Sequence, residues 1–296
     1  MSRAGWRSTL LLPLLLAGCA GACASTRVLI VTGLAGEAGY ESKFATESDG
    51  FAEAFAAADG QITQLTGSAA QRESVQNTLT AIADELSAED RLIFIYVGHG
   101  SYDGRDFRFN LPGPDMTAAD LAGWLETVPA LQLLIITSSA SGAALETLKH
   151  ERRALMTATR SGDQNNVTVF AGYLLEALHN PGADIDKDDR LSLTEAFDFA
   201  AAGVAEHYAQ RRLMATEHPQ LDSPPGTFML TDLEPPPQDP ALTALIRQRD
   251  AVEADIAVLK TRKADMTPDA YFNQLQQHLL ELALLQKRLD EAEVLP

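Results

Sequence analysis

Leu92-Ile93-Phe94-Ile95-Tyr96-Val97-Gly98-His99-Gly100 is the stretch whose reading decides the fold. A short, continuous apolar run rich in β-branched and aromatic residues stops at a His held between two glycines. A second run has the same form: Leu131-Gln132-Leu133-Leu134-Ile135-Ile136, ending in Thr137-Ser138-Ser139-Ala140-Ser141-Gly142. Runs of this kind suit central strands of a parallel sheet covered on both faces. In such sheets the loops beyond the carboxyl ends of neighbouring strands share a crevice, and ligands bind there. The pattern therefore sets His99 across a cleft from a cluster of serines, a general base facing hydroxyl nucleophiles.

Working outward, Arg27–Thr32 reads as a first strand, closed by Gly33, Gly36 and Gly39. Those glycines match neither a dinucleotide fingerprint nor a P-loop, and are read as a turn bordering the cleft. Ser48–Ala58 is expected as a helix with Phe51 and Phe55 on one face. Gln61–Thr66 is a second strand, and Gln71–Leu86 a helix with Val75, Leu79, Ile82 and Leu86 inward. This β-α-β-α-β alternation points to a parallel sheet with right-handed crossovers. Asp103-Gly104 with alternating Phe107 and Phe109 predicts a hairpin after His99. Thr117 is expected to cap the next helix, with Asp120 at its third position. Ala143–Lys149 reads as a helix, Arg153–Thr159 as a strand, Val167–His179 as a helix, and Thr227–Leu230 as a last short strand. His218, beside Pro219, reads as a structural or solvent-facing His, and no His spacing suggests a zinc site.

A strand ending in His-Gly, then a strand ending in Ala-Cys followed by small residues and Gly, is the pattern of the cysteine peptidases of the caspase, legumain and gingipain clan, which this chain resembles. His99-Gly100 matches the first element and Thr137–Gly142 the second, with Ser139 standing where the family has its nucleophilic Cys. The 40-residue interval from His99 to Ser139 is similar to that of the legumain branch, and the match runs from Arg27 to about Asp222. The chain also resembles uncharacterised bacterial proteins of legumain type. The resemblance implies an α/β, caspase-like three-layer sandwich: a mostly parallel sheet with helices on both faces. It further implies a substrate-bordering hairpin after His99 and oxyanion donors around Gly100, Ser139 and the start of the helix after Gly142. A pocket formed partly by Arg160–Asn165, with Arg160 and Asp163 as charges, belongs to the same expectation. One departure is decisive: the chain's two cysteines are Cys19 and Cys23, so it is no cysteine peptidase.

Three functions follow. The leading one is a catalytically inactive pseudo-peptidase that binds peptide or protein, because a hydroxyl is far less acidic than a thiol and needs a well-placed base. No carboxylate is obvious as the group orienting His99; Asp103 and Asp106 are candidates by proximity. The alternative is an active serine hydrolase using His99 and Ser139, with Ser141 as a second nucleophile. The third is a lipid-anchored scaffold acting through its C-terminal helices.

Residues 1–18 resemble a targeting segment, basic at Arg3 and Arg7 and apolar from Leu10 to Leu16. Leu16-Ala17-Gly18-Cys19 resembles a bacterial lipobox, with Cys19 the acylated residue of a lipoprotein and 19–26 a tether. The competing reading is an ordinary signal peptide cut nearby, for example after Ala22. A lipid anchor places the chain in the bacterial cell envelope, facing the periplasm. Ala20, in place of a retention Asp, points toward the outer membrane. The formal charge is −18, or −20 without residues 1–18, which argues against nucleic acid as a partner.

Asp184, Asp186, Asp188, Arg190, Ser192 and Glu195 fall at positions 1, 3, 5, 7, 9 and 12 of an EF-hand-like calcium loop. Asp189 stands at position 6, where Gly normally makes the turn. The alternative is an acidic turn that caps the helix from Leu193 to Tyr208. Residues 27–233 are thus read as one domain, and 234–240 as a Pro-rich linker. Residues 241–296 form an amphipathic helical hairpin whose apolar seams need a partner surface, internal or, as an oligomer through 241–293, external.

Overall fold

The structure, a computed structural model, describes residues 25–58, 60–223, 229–232, 240–263 and 266–293. Residues 1–18, expected as a targeting segment, Cys19, Cys23 and residues 234–239, expected as linker, lie outside the described residues. In chain order the elements are β1 (Thr26–Thr32), α1 (Ala38–Ala57), β2 (Gln61–Leu65), α2 (Arg72–Glu85), β3 (Arg91–Val97), β4 (Gly100–Tyr102), β5 (Phe107–Phe109) and β6 (Met116–Thr117). There follow α3 (Ala118–Leu125), β7 (Leu131–Ile136), α4 (Leu145–Leu148), β8 (Arg153–Thr157), α5 (Phe170–His179), β9 (Arg190–Ser192), α6 (Leu193–Arg211), β10 (Gln220–Asp222), β11 (Met229–Asp232), α7 (Pro240–Thr261) and α8 (Pro268–Glu293).

Six strands form one sheet in the order β10-β8-β7-β3-β1-β2, all parallel except β10, which pairs antiparallel with β8. Alternation along each central strand feeds two cores. Val28, Ile30, Ile93, Ile95, Leu133 and Ile135 face Phe51 and Phe55 of α1, Phe170 and Leu174 of α5, and Ala196 and Ala200 of α6. Leu29, Val31, Phe94, Tyr96, Leu134 and Ile136 face Val75 and Leu79 of α2 and Leu121 and Leu125 of α3. A strand buried on both faces has no polar side to show, which is why these runs are apolar throughout. The result is a three-layer α/β sandwich, a mostly parallel sheet with helices on both faces, with a C-terminal helical hairpin.

Several boundaries differ from the sequence reading. Helix α1 begins at Ala38, ten residues before Ser48, with Gly39 in its first turn, where glycine costs little. Its extra turns carry Tyr40 and Phe44 toward His99. The expected helix from Ala143 splits into a tight 3-10 turn, Ser141–Ala144, and the four-residue α4. Helix α5 starts at Phe170 rather than Val167. The last strand is Met229–Asp232, pairing with β9; Thr227 and Phe228 lie outside the described residues. Thr117 and Asp120 form the expected reciprocal cap on α3, and Ser192 and Glu195 form another on α6.

The hairpin closes on itself through Val252 and Ile256 of α7 against Leu285 of α8, flanked by Leu245, Leu275 and Leu282. It also meets the domain. Arg249, 6% exposed, lies 3.3 Å from Asp188, and Arg190 pairs with Asp250.

Candidate catalytic cleft and acidic loop

The cleft is built at the carboxyl end of β3. The Tyr96 hydroxyl passes between Gly33 and Gly98; a Cβ on either would stand 2.2 or 2.9 Å from it. From there it donates to the carbonyls of His99 (2.8 Å) and Asn110 (3.0 Å). Burial raises the Tyr96 hydroxyl's pKa, keeping it a neutral donor. His99 is therefore held by its backbone from beneath. Its imidazole stands edge-on to Tyr40 and Phe44, with centroids 4.9 and 5.0 Å away. Nε2 lies 3.2 Å from the Ala35 carbonyl oxygen. A carbonyl oxygen only accepts, so Nε2 carries the hydrogen and a neutral ring keeps Nδ1 as an acceptor.

Ser139, 5% exposed, does not use that acceptor. Its hydroxyl donates to the Gly100 carbonyl at 2.9 Å, and the Gly100 N–H points back at Oγ from 3.4 Å. No hydrogen bond joins His99 and Ser139 among the described residues. The approach is close enough to demand glycine at 100. A Cβ there would lie 2.5 Å from the Ser139 carbonyl oxygen and 2.6 Å from Ser138 Oγ. Ser138 Oγ itself is buried without a hydrogen-bond partner.

The chain turns sharply after Ser139, with Ala140 in the left-handed region at φ 56°. Ser141, the second nucleophile candidate, is buried and engaged elsewhere: Oγ lies 3.3 Å from Thr159 Oγ1 and accepts the Thr159 N–H at 3.1 Å. The amides expected as oxyanion donors after Ser139 are likewise occupied. Gly142 N–H donates to Thr159 Oγ1, and Ala140 N–H to the Gln164 carbonyl. Gly100 N–H is the amide aimed at Ser139 Oγ.

Asp103 and Asp106 do not orient His99. Asp103 accepts the N–H groups of Asp106 and Arg105 and pairs with Arg108, closing the hairpin tip; those bonds lower its carboxyl to about 2. The Ala35 carbonyl takes the orienting place instead. On the far wall, Gln164 accepts the Arg160 N–H and contacts His218 Nδ1, while the Tyr102 ring lies on the Gly162 backbone. Arg160 and Asp163 are both exposed.

One buried carboxylate escaped the sequence reading altogether. Glu217, 2% exposed, accepts the N–H groups of Val169 and Phe170, both at 2.8 Å, at the start of α5. Burial pushes its carboxyl up to about 7 despite those bonds and the nearby Lys43. Only its place beside the predicted structural His218 hinted at it.

In the acidic loop, carboxylate oxygens of Asp184, Asp186 and Asp188 lie within 4.8 Å of one another. Asp189 adopts φ 61° at the position where the EF-hand pattern has glycine, and Lys187 adopts 62°. Arg190 and Ser192 begin and end β9, which pairs with β11. The Glu195 carboxylate accepts the Ile185, Asp186 and Ser192 N–H groups, so both cap and loop depend on it. Burial and then the Asp186 charge raise Asp188 to about 6, with Arg249 opposing. The donor set thus fits a hard, oxygen-seeking cation at three carboxylates, with Glu195 and Arg249 already holding positions around it.

No protein-family model matches the chain, and no curated protein does. Among solved structures, it is similar to protein GSU0716 of Geobacter sulfurreducens, at 16% identity and a TM-score of 0.47, over 73% of this chain and 96% of that one. It is also similar to caspase-1 of Spodoptera frugiperda, at 12% identity and a TM-score of 0.46, over 67% of this chain and 86% of that one.

Proposed function

We propose that the chain is a pseudo-peptidase of the cell envelope, which holds an extended peptide or protein segment in the His99 cleft without cleaving it. One observation carries this reading: the Ser139 hydroxyl donates to the Gly100 carbonyl, away from the base that would have to activate it. A serine so engaged keeps its proton and serves as a buried brace between β4 and the end of β7. The competing reading, a serine-dependent hydrolase, is favoured by His99, whose Nδ1 stays an acceptor while Ala35 holds Nε2.

One experiment separates them. Residues 25–296 are exposed to electrophilic peptides ending in Arg, Asn or Asp, and intact mass is measured for the natural protein, Ser139→Cys and Ser139→Ala. Labelling of the Cys variant alone supports a retained cleft without its nucleophile. An adduct on the natural protein that the Ala variant lacks overturns the pseudo-peptidase reading.

Anchoring through an acylated Cys19 is part of the same proposal, supported by the lipobox-like sequence, and metabolic labelling with a palmitate analogue tests it. A calcium ion bracing the acidic loop is a further part, supported by the three converging carboxylates and the left-handed Asp189. A scaffold role through residues 241–293 is supported by the hairpin's second apolar face, with Phe272, Leu279, Leu280 and Leu284 exposed.

A further inference from the structure

Helix α8 carries two apolar faces, and only one is used inside the hairpin. Tyr271, Leu285 and Leu289 are buried, and Leu275 and Leu282 pack with α7. On the other side Phe272, Leu279, Leu280 and Leu284 remain 59, 48, 58 and 64% exposed. At 3.6 residues per turn these four fall, with Gln276 and Ala283, within an arc of roughly 140°, wide enough to seat a neighbouring helix. Four large apolar side chains on one exposed face mark an interaction surface.

We propose that this face pairs with the same face of a second copy of the chain, the two α8 helices running antiparallel about residue 278. The charges on the face select this occupant and this direction. Asp269 lies on the stripe at its amino end and Lys287 at its carboxyl end. Antiparallel pairing about residue 278 sets Phe272 against Leu284 of the second copy and Gln276 against its Leu280. Asp269 then meets Lys287 of the second copy at both ends at once. A parallel pair would oppose Asp269 to Asp269 and Lys287 to Lys287. The contact spans Asp269 to Lys287, about 27 Å at 1.5 Å per residue. It is isologous, so a two-fold axis closes it as a dimer rather than a filament. Lys287 also pairs with Glu291 at 3.7 Å on its own helix, with both side chains largely exposed. The apolar stripe therefore supplies affinity and the end charges supply direction. A lipid surface is the poorer occupant, because the stripe carries Asp269 and the chain carries −18, whereas surface-seeking helices flank their apolar face with Lys and Arg. The inference does not depend on the state of Ser139.

The test is sedimentation equilibrium of the full chain in a density-matched detergent. The natural protein should reach twice the monomer mass. Leu280→Glu with Leu284→Glu, both exposed positions, should leave a monomer with unchanged circular dichroism. Asp269→Lys and Lys287→Asp should each weaken the dimer, on the order of tenfold. Combining the two should restore it, which a merely damaged helix would not do. A monomer at every concentration overturns the proposal, as does a dimer indifferent to the glutamates, or charge variants whose effects simply add. A monomer that binds neutral phosphatidylcholine vesicles through the same leucines overturns it in favour of a membrane surface.

Discussion

Glu217 makes the stability of this domain depend on pH in a direction unusual for a carboxylate. Its ordinary value of 4.5 is pushed up to about 7 by burial, even with Val169 and Phe170 donating to both oxygens. The unfolded chain releases this proton near 4.5, and the folded chain holds it to about 7. Rising pH across that window therefore favours the unfolded state. The contribution is complete below pH 4.5 and lost as pH passes about 7. At about 1.4 kcal/mol for each tenfold in proton affinity, it amounts to roughly 3 kcal/mol. Glu217→Gln removes the titration while keeping one acceptor oxygen for α5. The variant should be about 1 kcal/mol less stable than the natural protein at low pH, through one impaired hydrogen bond. Above pH 8 it should be the more stable of the two, by about 2 kcal/mol. Urea unfolding followed by circular dichroism from pH 4.5 to 8.5 measures both curves, and subtraction cancels the other titrating groups. Parallel curves that never cross would refute the claim that this carboxyl is protonated in the folded protein.

Other outcomes follow from the cleft and the loop. Tyr96→Phe removes the donor to the His99 and Asn110 carbonyls; it should cost about 1–3 kcal/mol, read as a lower midpoint in thermal unfolding. Ser138→Ala removes a buried hydroxyl that has no partner, so the same assay should show no loss of stability, or a gain of up to about 1 kcal/mol. Arg249→Ala takes a guanidinium from beside Asp188 and should tighten calcium binding measured by calorimetry, while loosening the hairpin in hydrogen exchange. Heat absent from both the natural protein and this variant would remove calcium from the account.

Much of the architecture was legible in the chain because it follows from local rules. The runs at Leu92–Val97 and Leu131–Ile136 are apolar at every turn of the pleat, or nearly so, which only a doubly covered strand permits. Parallel neighbours place their following loops together, so the nearness of His99 and Ser139 was a consequence of topology. The caps at Thr117 and Ser192 and the acidic spacing from Asp184 to Glu195 are also local patterns. Local rules failed where a side chain chose between partners far apart in sequence. Ala35, 64 positions from His99, supplies the carbonyl that holds its ring, and the glycines around it concealed the early start of α1.

By itself, then, the sequence determined which residues are brought to the cleft: a histidine, a serine and a glycine between them. It determined the order of the central strands' apolar faces and the charges that make the acidic loop. Only the tertiary structure decided what those groups do to one another. Ser139 turns to the Gly100 carbonyl and Ser141 to Thr159, because each buried polar group takes the nearest backbone or hydroxyl partner that the packing leaves it, while the exposed Asp103 turns to its own hairpin. That choice depends on distances of a few tenths of an ångström between segments that are remote in the chain, and no periodicity or spacing encodes it.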